Sequence, residues 1–180
     1  DPAEMQRQAN LLLDKSETQD WIWYQKALVL AFSGHLREAR SMSSRAVDLA
    51  HQGERSGGAA QYQAGAAVRE ALFGNFQDAR RIAKALSQSA PLGRDAQYGT
   101  ALSLAWAGDI ARAQALTNDL AKRFAHDTAV NFSYLPTLRA LIALNLHKHH
   151  QAIEFLQAAT PYELAWQGAS SLGFDGSLYP

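Results

Sequence analysis

Residues 27–39 read Ala27-Leu-Val-Leu-Ala-Phe-Ser-Gly34-His-Leu-Arg-Glu-Ala39, with one alanine seven residues before a helix-breaking glycine and another five residues after it. In a single amphipathic helix, the spacing of the buried residues would not be kept across a turn. A repeated helical hairpin would keep it, because its two helices cross where only a methyl group fits. The same spacing recurs, so the four triplets are Ala27, Gly34 and Ala39; Ala67, Gly74 and Ala79; Ala101, Gly108 and Ala113; Ala140, His147 and Ala152.

These triplets predict an all-α fold: a right-handed α-solenoid of about four helical hairpins, with the eight alanines buried at the crossings. Glycine at three of the turns supplies a left-handed helix end. Asn75 and Asp109 follow two of these glycines and are predicted to cap the next helix. The fourth turn has His147 in place of glycine.

Composition narrows the classes of function. The chain has 180 residues, 47% of them hydrophobic, with 17 basic and 17 acidic residues and no cysteine. Zero formal charge argues against a nucleic-acid scaffold or an anionic-lipid surface, since both need a basic excess. Without cysteine there is no disulfide and no thiolate metal site. No apolar run approaches the roughly 20 residues that cross a bilayer, so no direct membrane contact is expected.

The helix-breaking residues and the polar segments between the hairpins predict the domain boundaries. We predict one array over residues 1–180, with hairpins at about 20–52, 58–90, 94–124 and 130–160. Residues 1–15 are interpreted as a half-repeat and residues 161–177 as an irregular segment. Because no polar capping helix is visible at either end, the chain is interpreted as part of a longer array. Self-association through the uncapped ends is therefore possible.

A family resemblance supports the repeat interpretation. The series Trp23, Ala27, Leu30, Gly34, Ala39 and Ala46 resembles the tetratricopeptide repeat, and Pro91 closes the second unit where that family often carries proline. The resemblance implies stacked hairpins that bind protein or peptide ligands. The chain departs from the family pattern where Gln63, Gln97 and Pro136 replace its tryptophan and where Glu70 replaces an apolar residue.

A narrower resemblance covers nearly all of the chain. Residues 1–8, 69–75, 119–124 and 131–140 look like the C-terminal repeat region of bacterial eukaryotic-like serine/threonine protein kinases. Related regions follow winged-helix DNA-binding regulators. The resemblance implies an N-terminal effector domain, often followed by a transmembrane helix, with this array as the sensing or docking part. The kinase motifs themselves have no counterparts here, so no catalytic residue is carried over.

Neither a catalytic nor a metal or cofactor site is predicted. Ser33 lies beside His35 and Glu38, but at a helix turn, and the chain contains no Gly-x-Ser-x-Gly elbow. Metal binding requires neutral imidazoles that converge on one point. The histidines at positions 147, 149 and 150 instead fall across a turn, with no carboxylate before Glu154. We interpret them as a solvated turn.

The first helices of stacked hairpins line a concave face, and phase predicts which of their residues point outward. The predicted binding residues on that face are Trp21, Tyr24, Gln61, Asp95, Tyr98 and Tyr134. The lysines and asparagines that clamp a peptide carboxylate in some tetratricopeptide modules are absent from these positions. An aromatic, nearly uncharged groove suits an extended or helical peptide with apolar anchors. The alternative is that the aromatic residues pack against neighbouring helices.

Three functions stay open at the level of sequence. The leading hypothesis is a non-catalytic protein-interaction or sensing module of a larger signalling protein, which the resemblance identifies as a serine/threonine kinase. The second is a structural or oligomerising spacer, and the repeat region of a winged-helix regulator is a related alternative. The third, an enzyme, has no catalytic constellation to support it.

Overall fold

The structure, a computed structural model, describes residues 19–89 and 91–162, and every regular element in these two ranges is helical. The all-α class is therefore confirmed. The predicted half-repeat 1–15 and nearly all of the irregular segment 161–177 lie outside the described residues. The α-helices are α1 (Gln19–Phe32), α2 (Leu36–Gln52), α3 (Ser56–Leu72), α4 (Phe76–Ser89), α5 (Arg94–Trp106), α6 (Ile110–Arg123), α7 (Leu135–Asn145) and α8 (His149–Gln157).

The four predicted turns lie between α1 and α2, α3 and α4, α5 and α6, and α7 and α8, and all four are confirmed. Their central residues have left-handed backbone angles, with φ of 83° at Gly34, 78° at Gly74, 78° at Gly108 and 58° at His147. At the first turn, His35 N–H donates to the Leu30 carbonyl and Gly34 N–H to the Ala31 carbonyl. This pair of bonds satisfies the last carbonyls of the helix, and it recurs at the other three turns.

All eight predicted crossing alanines are buried, each with 0–2% of its surface exposed. The side chain of alanine ends at its β-carbon, so a buried alanine allows two helix backbones to approach one another closely. The prediction that only a methyl group fits at the crossings is consistent with this burial. One of the eight alanines, Ala79 on α4, belongs to a buried cluster with Ala71 on α3 and Ala107, against which the partly buried Trp106 packs.

The chain divides into two compact units, Asp1–Gln63 and Ala64–Pro180. In the described part of the first unit, α1 packs along α2. Its core contains Tyr24, Leu28, Ala46, Ala50, Ala59 and Tyr62. The single continuous array stays a prediction.

Within the second unit, α5 is the central helix. It packs against α4, α6 and α7, while α7 also contacts α6 and α8. Residues 96–105 of α5 are all buried, because a helix with neighbours on several sides needs small or apolar residues around its whole circumference. The second helices α4 and α6 bury one stripe only and expose charged residues on the opposite face.

A π-helical segment, Val130–Tyr134, leads directly into α7 and was not predicted. Leu135 N–H donates to the Val130 carbonyl, five residues back, and Pro136 follows with no N–H to donate. The helical stretch begins where the Asp127 carboxylate accepts a 3.0 Å hydrogen bond from Val130 N–H. The π turn is significant for the site because it holds Tyr134.

Candidate functional site

The six predicted binding residues do not share one environment. Trp21 is 48% exposed, whereas Tyr24 is completely buried and Tyr98 is 7% exposed. Gln61, Asp95 and Tyr134 are partly buried. The two buried tyrosines are core residues. Other positions of the same helical phase are buried too, namely Ala64, Val68, Leu102, Thr137 and Leu141.

Two of the predicted residues form a stacked pair in the second unit. The rings of Tyr98 on α5 and Tyr134 on the π segment lie parallel, with centroids 4.0 Å apart and planes 8° apart. The Tyr134 hydroxyl donates a 2.9 Å hydrogen bond to the Asp95 carboxylate. Burial, reinforced by the Asp95 charge and this hydrogen bond, raises the pKa of Tyr134 well above its usual value. The hydroxyl is thus held protonated as a donor.

Arg94 links the start of α5 to the start of the π segment. Its Nε lies 2.7 Å from Asp95, and its Nη1 lies 3.0 Å from Asp127. The guanidinium also lies over the Tyr134 ring, 5.8 Å from its centroid. Burial acts to raise the pKa of Asp127, but hydrogen bonds from Val130 N–H and Arg94 outweigh it and lower that pKa. The charges here are matched within the protein.

The first unit contains an equivalent arrangement. Tyr24 stacks on Tyr62 with centroids 4.6 Å apart, and the Tyr62 hydroxyl donates to the buried Asp20 carboxylate at 3.4 Å. Arg55 forms a 3.0 Å ion pair with the same carboxylate. Burial and the neighbouring Asp20 raise the pKa of Tyr62 to about 12. We name each arrangement of one aspartate, one arginine and two stacked tyrosines a tyrosine clasp.

Each tyrosine clasp bonds the first helix of one hairpin to the first helical stretch of the next. The partners are far apart in sequence, 42 residues for Tyr62 and Asp20 and 39 for Tyr134 and Asp95. A tyrosine with a raised pKa that already donates to a carboxylate is poorly suited to act as a nucleophile or base. We conclude that the clasps are structural links, which matches the alternative stated above for the aromatic residues.

A separate polar network borders a cavity of about 490 Å³ in the second unit. Gln97 on α5 is almost fully buried, and its amide nitrogen donates to the Asp119 carboxylate at 2.8 Å. Its amide oxygen accepts from Arg123 Nη1 at 2.6 Å, and Arg123 Nη2 donates to the Leu92 carbonyl at 2.8 Å. The lining residues are Ser87, Gln88, Pro91, Leu92, Gln97, Leu116, Asp119 and Arg123. Sequence reasoning did not predict this site.

Large apolar side chains are exposed around the turn between α3 and α4. Leu72, Phe73 and Phe76 have 46%, 48% and 44% of their surfaces exposed. We name these three residues the turn-tip patch. Leu146, beside the turn that joins α7 to α8, is similarly exposed at 48%. Leu72, Phe73 and Phe76 are neighbours in the sequence, and clustered exposed apolar side chains mark contact sites more often than isolated ones do.

The histidines of the fourth turn form no metal site in the described part of the chain. The rings of His147 and His149 meet edge to face with centroids 6.4 Å apart. Over residues 19–89 and 91–162, no group of three or more histidine, cysteine or acidic residues is placed to hold a metal ion. None of the helices described there combines the length and apolar character that crossing a membrane requires.

Comparison with known proteins adds no relative. No family model, no curated protein and no solved structure matches the chain.

Proposed function

We propose that the chain is a tetratricopeptide-like, right-handed α-solenoid that binds another protein and has no catalytic activity of its own. The observation that supports this proposal is the fourfold hairpin pattern, with a left-handed turn and two buried alanines in each repeat. Helical hairpins that stack into a solenoid serve as extended binding surfaces. From the resemblance of residues 69–75 and 131–140, we propose a larger signalling protein, a serine/threonine kinase, as its context.

The proposed contact surface is the turn-tip patch, because its aromatic side chains are accessible while Tyr24 and Tyr98 are buried. Near the patch, Arg81 and Asp78 on α4 already pair with each other at 2.8 Å. An uncharged peptide segment with aromatic or branched aliphatic anchors fits such a surface. Binding should therefore vary little with salt concentration.

A selection from a random-peptide library tests this proposal. We expect the enriched peptides to carry apolar anchors and to bind Phe76→Ser at least about tenfold more weakly than the parent, as loss of a hot-spot residue does. Phe132→Ser is the matched control, because Phe132 is also exposed, at 38%, but lies in the π segment. Fluorescence polarisation gives the affinities. Peptides that bind Phe76→Ser as tightly as the parent would contradict the proposed surface.

The oligomerising spacer is the rival function, and the same variants separate the two. If the patch joins two copies of the chain, the parent forms a dimer in light scattering and Phe76→Ser is a monomer. If the patch binds a different protein, the parent is a monomer at micromolar concentration. The kinase context is tested separately, by assaying phosphotransfer from a chain extended toward its N-terminus.

A further inference from the structure

We propose that the cavity bordered by Gln97, Asp119 and Arg123 binds a free α-amino acid with an apolar side chain. The cavity of about 490 Å³ lies within the size range of small-molecule sites, about 300–1,000 Å³. It lies within the second unit, among the end of α4, Pro91 and Leu92, α5 and α6. This small-molecule site goes beyond the proposed protein-binding function and does not depend on it.

The network places two opposite charges next to each other at the cavity, on side chains that are 34% exposed for Arg123 and 51% exposed for Asp119. Both polar atoms of the Gln97 amide are used, one on Asp119 and the other on Arg123. The Leu92 carbonyl holds a second nitrogen of the same guanidinium. Arg123 Nη1 and Asp119 Oδ2 lie 3.3 Å apart. Because such polar groups are already ordered, binding a complementary ligand costs them little further conformational entropy.

Hydrogen-bonding capacity is left over on both charged residues. The known contacts of Asp119 use only Oδ2, so within the described part of the chain Oδ1 accepts no hydrogen bond. Arg123 is engaged through Nη1 and Nη2, and its Nε donates to no residue of the same described ranges. One acceptor and one donor are thus available beside the cavity.

The pair of charges selects the ligand class. A phosphate or a simple carboxylate would meet the Asp119 charge, and a simple amine would meet the Arg123 charge. A zwitterion satisfies both residues, with its ammonium on Asp119 and its carboxylate on Arg123. In an α-amino acid these two groups are attached to one carbon, which suits two protein charges in direct contact.

The apolar part of the lining determines which amino acids fit. Pro91, Leu92 and Leu116 line the same cavity as the charged pair. An aliphatic side chain packed on these residues would bury its surface, whereas a charged side chain would be left without a partner. Leucine is therefore the probe for this site.

Titration with L-leucine, followed by amide NMR, tests the proposal. We expect saturable shifts of the Gln97 side-chain amide and of the Asp119 and Arg123 backbone amides. Two analogues keep the side chain and lose one charge: leucinamide lacks the carboxylate, and 4-methylpentanoate lacks the ammonium. Each should bind at least about tenfold more weakly, because each leaves a charged protein group without its hydrogen bond.

Asp119→Asn should weaken leucine binding by a similar factor. Asp78→Asn is the matched control, since Asp78 also pairs with an arginine on its own exposed helix face but lies on α4, away from the lining residues. Phe76→Ser, which tests the protein-binding proposal, should leave leucine binding unchanged. The proposal is overturned if leucine gives no saturable shift, if either analogue binds as tightly, or if Asp119→Asn binds leucine normally. The analogue series needs no variant, so it decides the matter even if Asp119→Asn unfolds.

Discussion

The Tyr134 hydroxyl connects two hairpins through one hydrogen bond, 2.9 Å long, to the Asp95 carboxylate. Tyr134→Phe keeps the ring stacked on Tyr98 and removes only that bond. Since the bond is to a charged group at a partly buried site, we expect the free energy of unfolding to fall by about 1–2 kcal/mol. Urea denaturation measures it. The loss should vanish in an Asp95→Ala background, and an equal loss in both backgrounds would contradict the clasp.

Asp127 should make stability depend on acidity. Its pKa is lowered from the ordinary 3.8 by hydrogen bonds from Val130 N–H and Arg94, so the folded state favours the carboxylate more than the unfolded state does. This contribution is present above about pH 4 and is lost as the pH falls through the lowered pKa. The stability difference between the parent and Asp127→Asn should therefore shrink below pH 4. A difference that is constant from pH 7 to pH 3 would contradict the assignment.

At the residue scale, the sequence predicted some buried residues but not their polar contacts. The alanines were predictable because each stands at a fixed distance from a breaker. The contacts of Gln97 were not, since Asp119 and Arg123 lie 22 and 26 residues away and meet it only once α5 packs on α6. A signal was present: in the resemblance to the tetratricopeptide repeat, Gln97 stands where that family has tryptophan. A buried amide there needs partners, and their identity depends on the packing.

At the scale of elements, the turn at His147 differs from the others by one side chain. A left-handed backbone costs a non-glycine residue roughly 1–2 kcal/mol. Glycine avoids this cost, but its greater entropy in the unfolded state offsets part of the gain. His147→Gly should therefore raise the free energy of unfolding by about 0.5–1 kcal/mol. Thermal and urea denaturation measure the change.

A substitution of the opposite kind, from glycine to alanine at the turn between α5 and α6, is the control. At Gly108, φ is 78° and an added β-carbon would meet no atom within 4 Å. Gly108→Ala therefore tests backbone strain alone, and it should destabilise by about 1 kcal/mol. If His147→Gly were destabilising instead, a specific role for the imidazole at that turn would follow.

The turns within the hairpins could be predicted because glycine marks three of the four in the sequence. Asp109 accepts from Arg112 N–H at 3.5 Å, a long bond, at the predicted N-terminus of α6. The π segment was missed, although Pro136 carried the signal. A proline at that position removes an N–H from the helix, and the π turn comes directly before it.

At the scale of the whole molecule, the account rests on one claim: four hairpins share one crossing geometry that admits only alanine. The exposure of the six proposed binding residues could not be predicted from the sequence, because exposure of the first helices depends on how many neighbours each helix acquires. Helix α5 has enough neighbouring helices to be buried over residues 96–105. Short-range patterns in the sequence carry no information on the number of neighbouring helices. The crossing residues could be predicted because they depend on contacts within one hairpin.

One alanine-to-leucine substitution per hairpin, at Ala39, Ala79, Ala113 and Ala152, tests that claim most directly. All four alanines are buried, at 0–2% exposed. Leucine should therefore overpack each crossing and lower the free energy of unfolding by about 1–3 kcal/mol in urea denaturation. Ala111→Leu, at an exposed position on α6, is the control and should change stability by less than about 0.5 kcal/mol. If any crossing accepts leucine as readily as position 111 does, the shared geometry is contradicted.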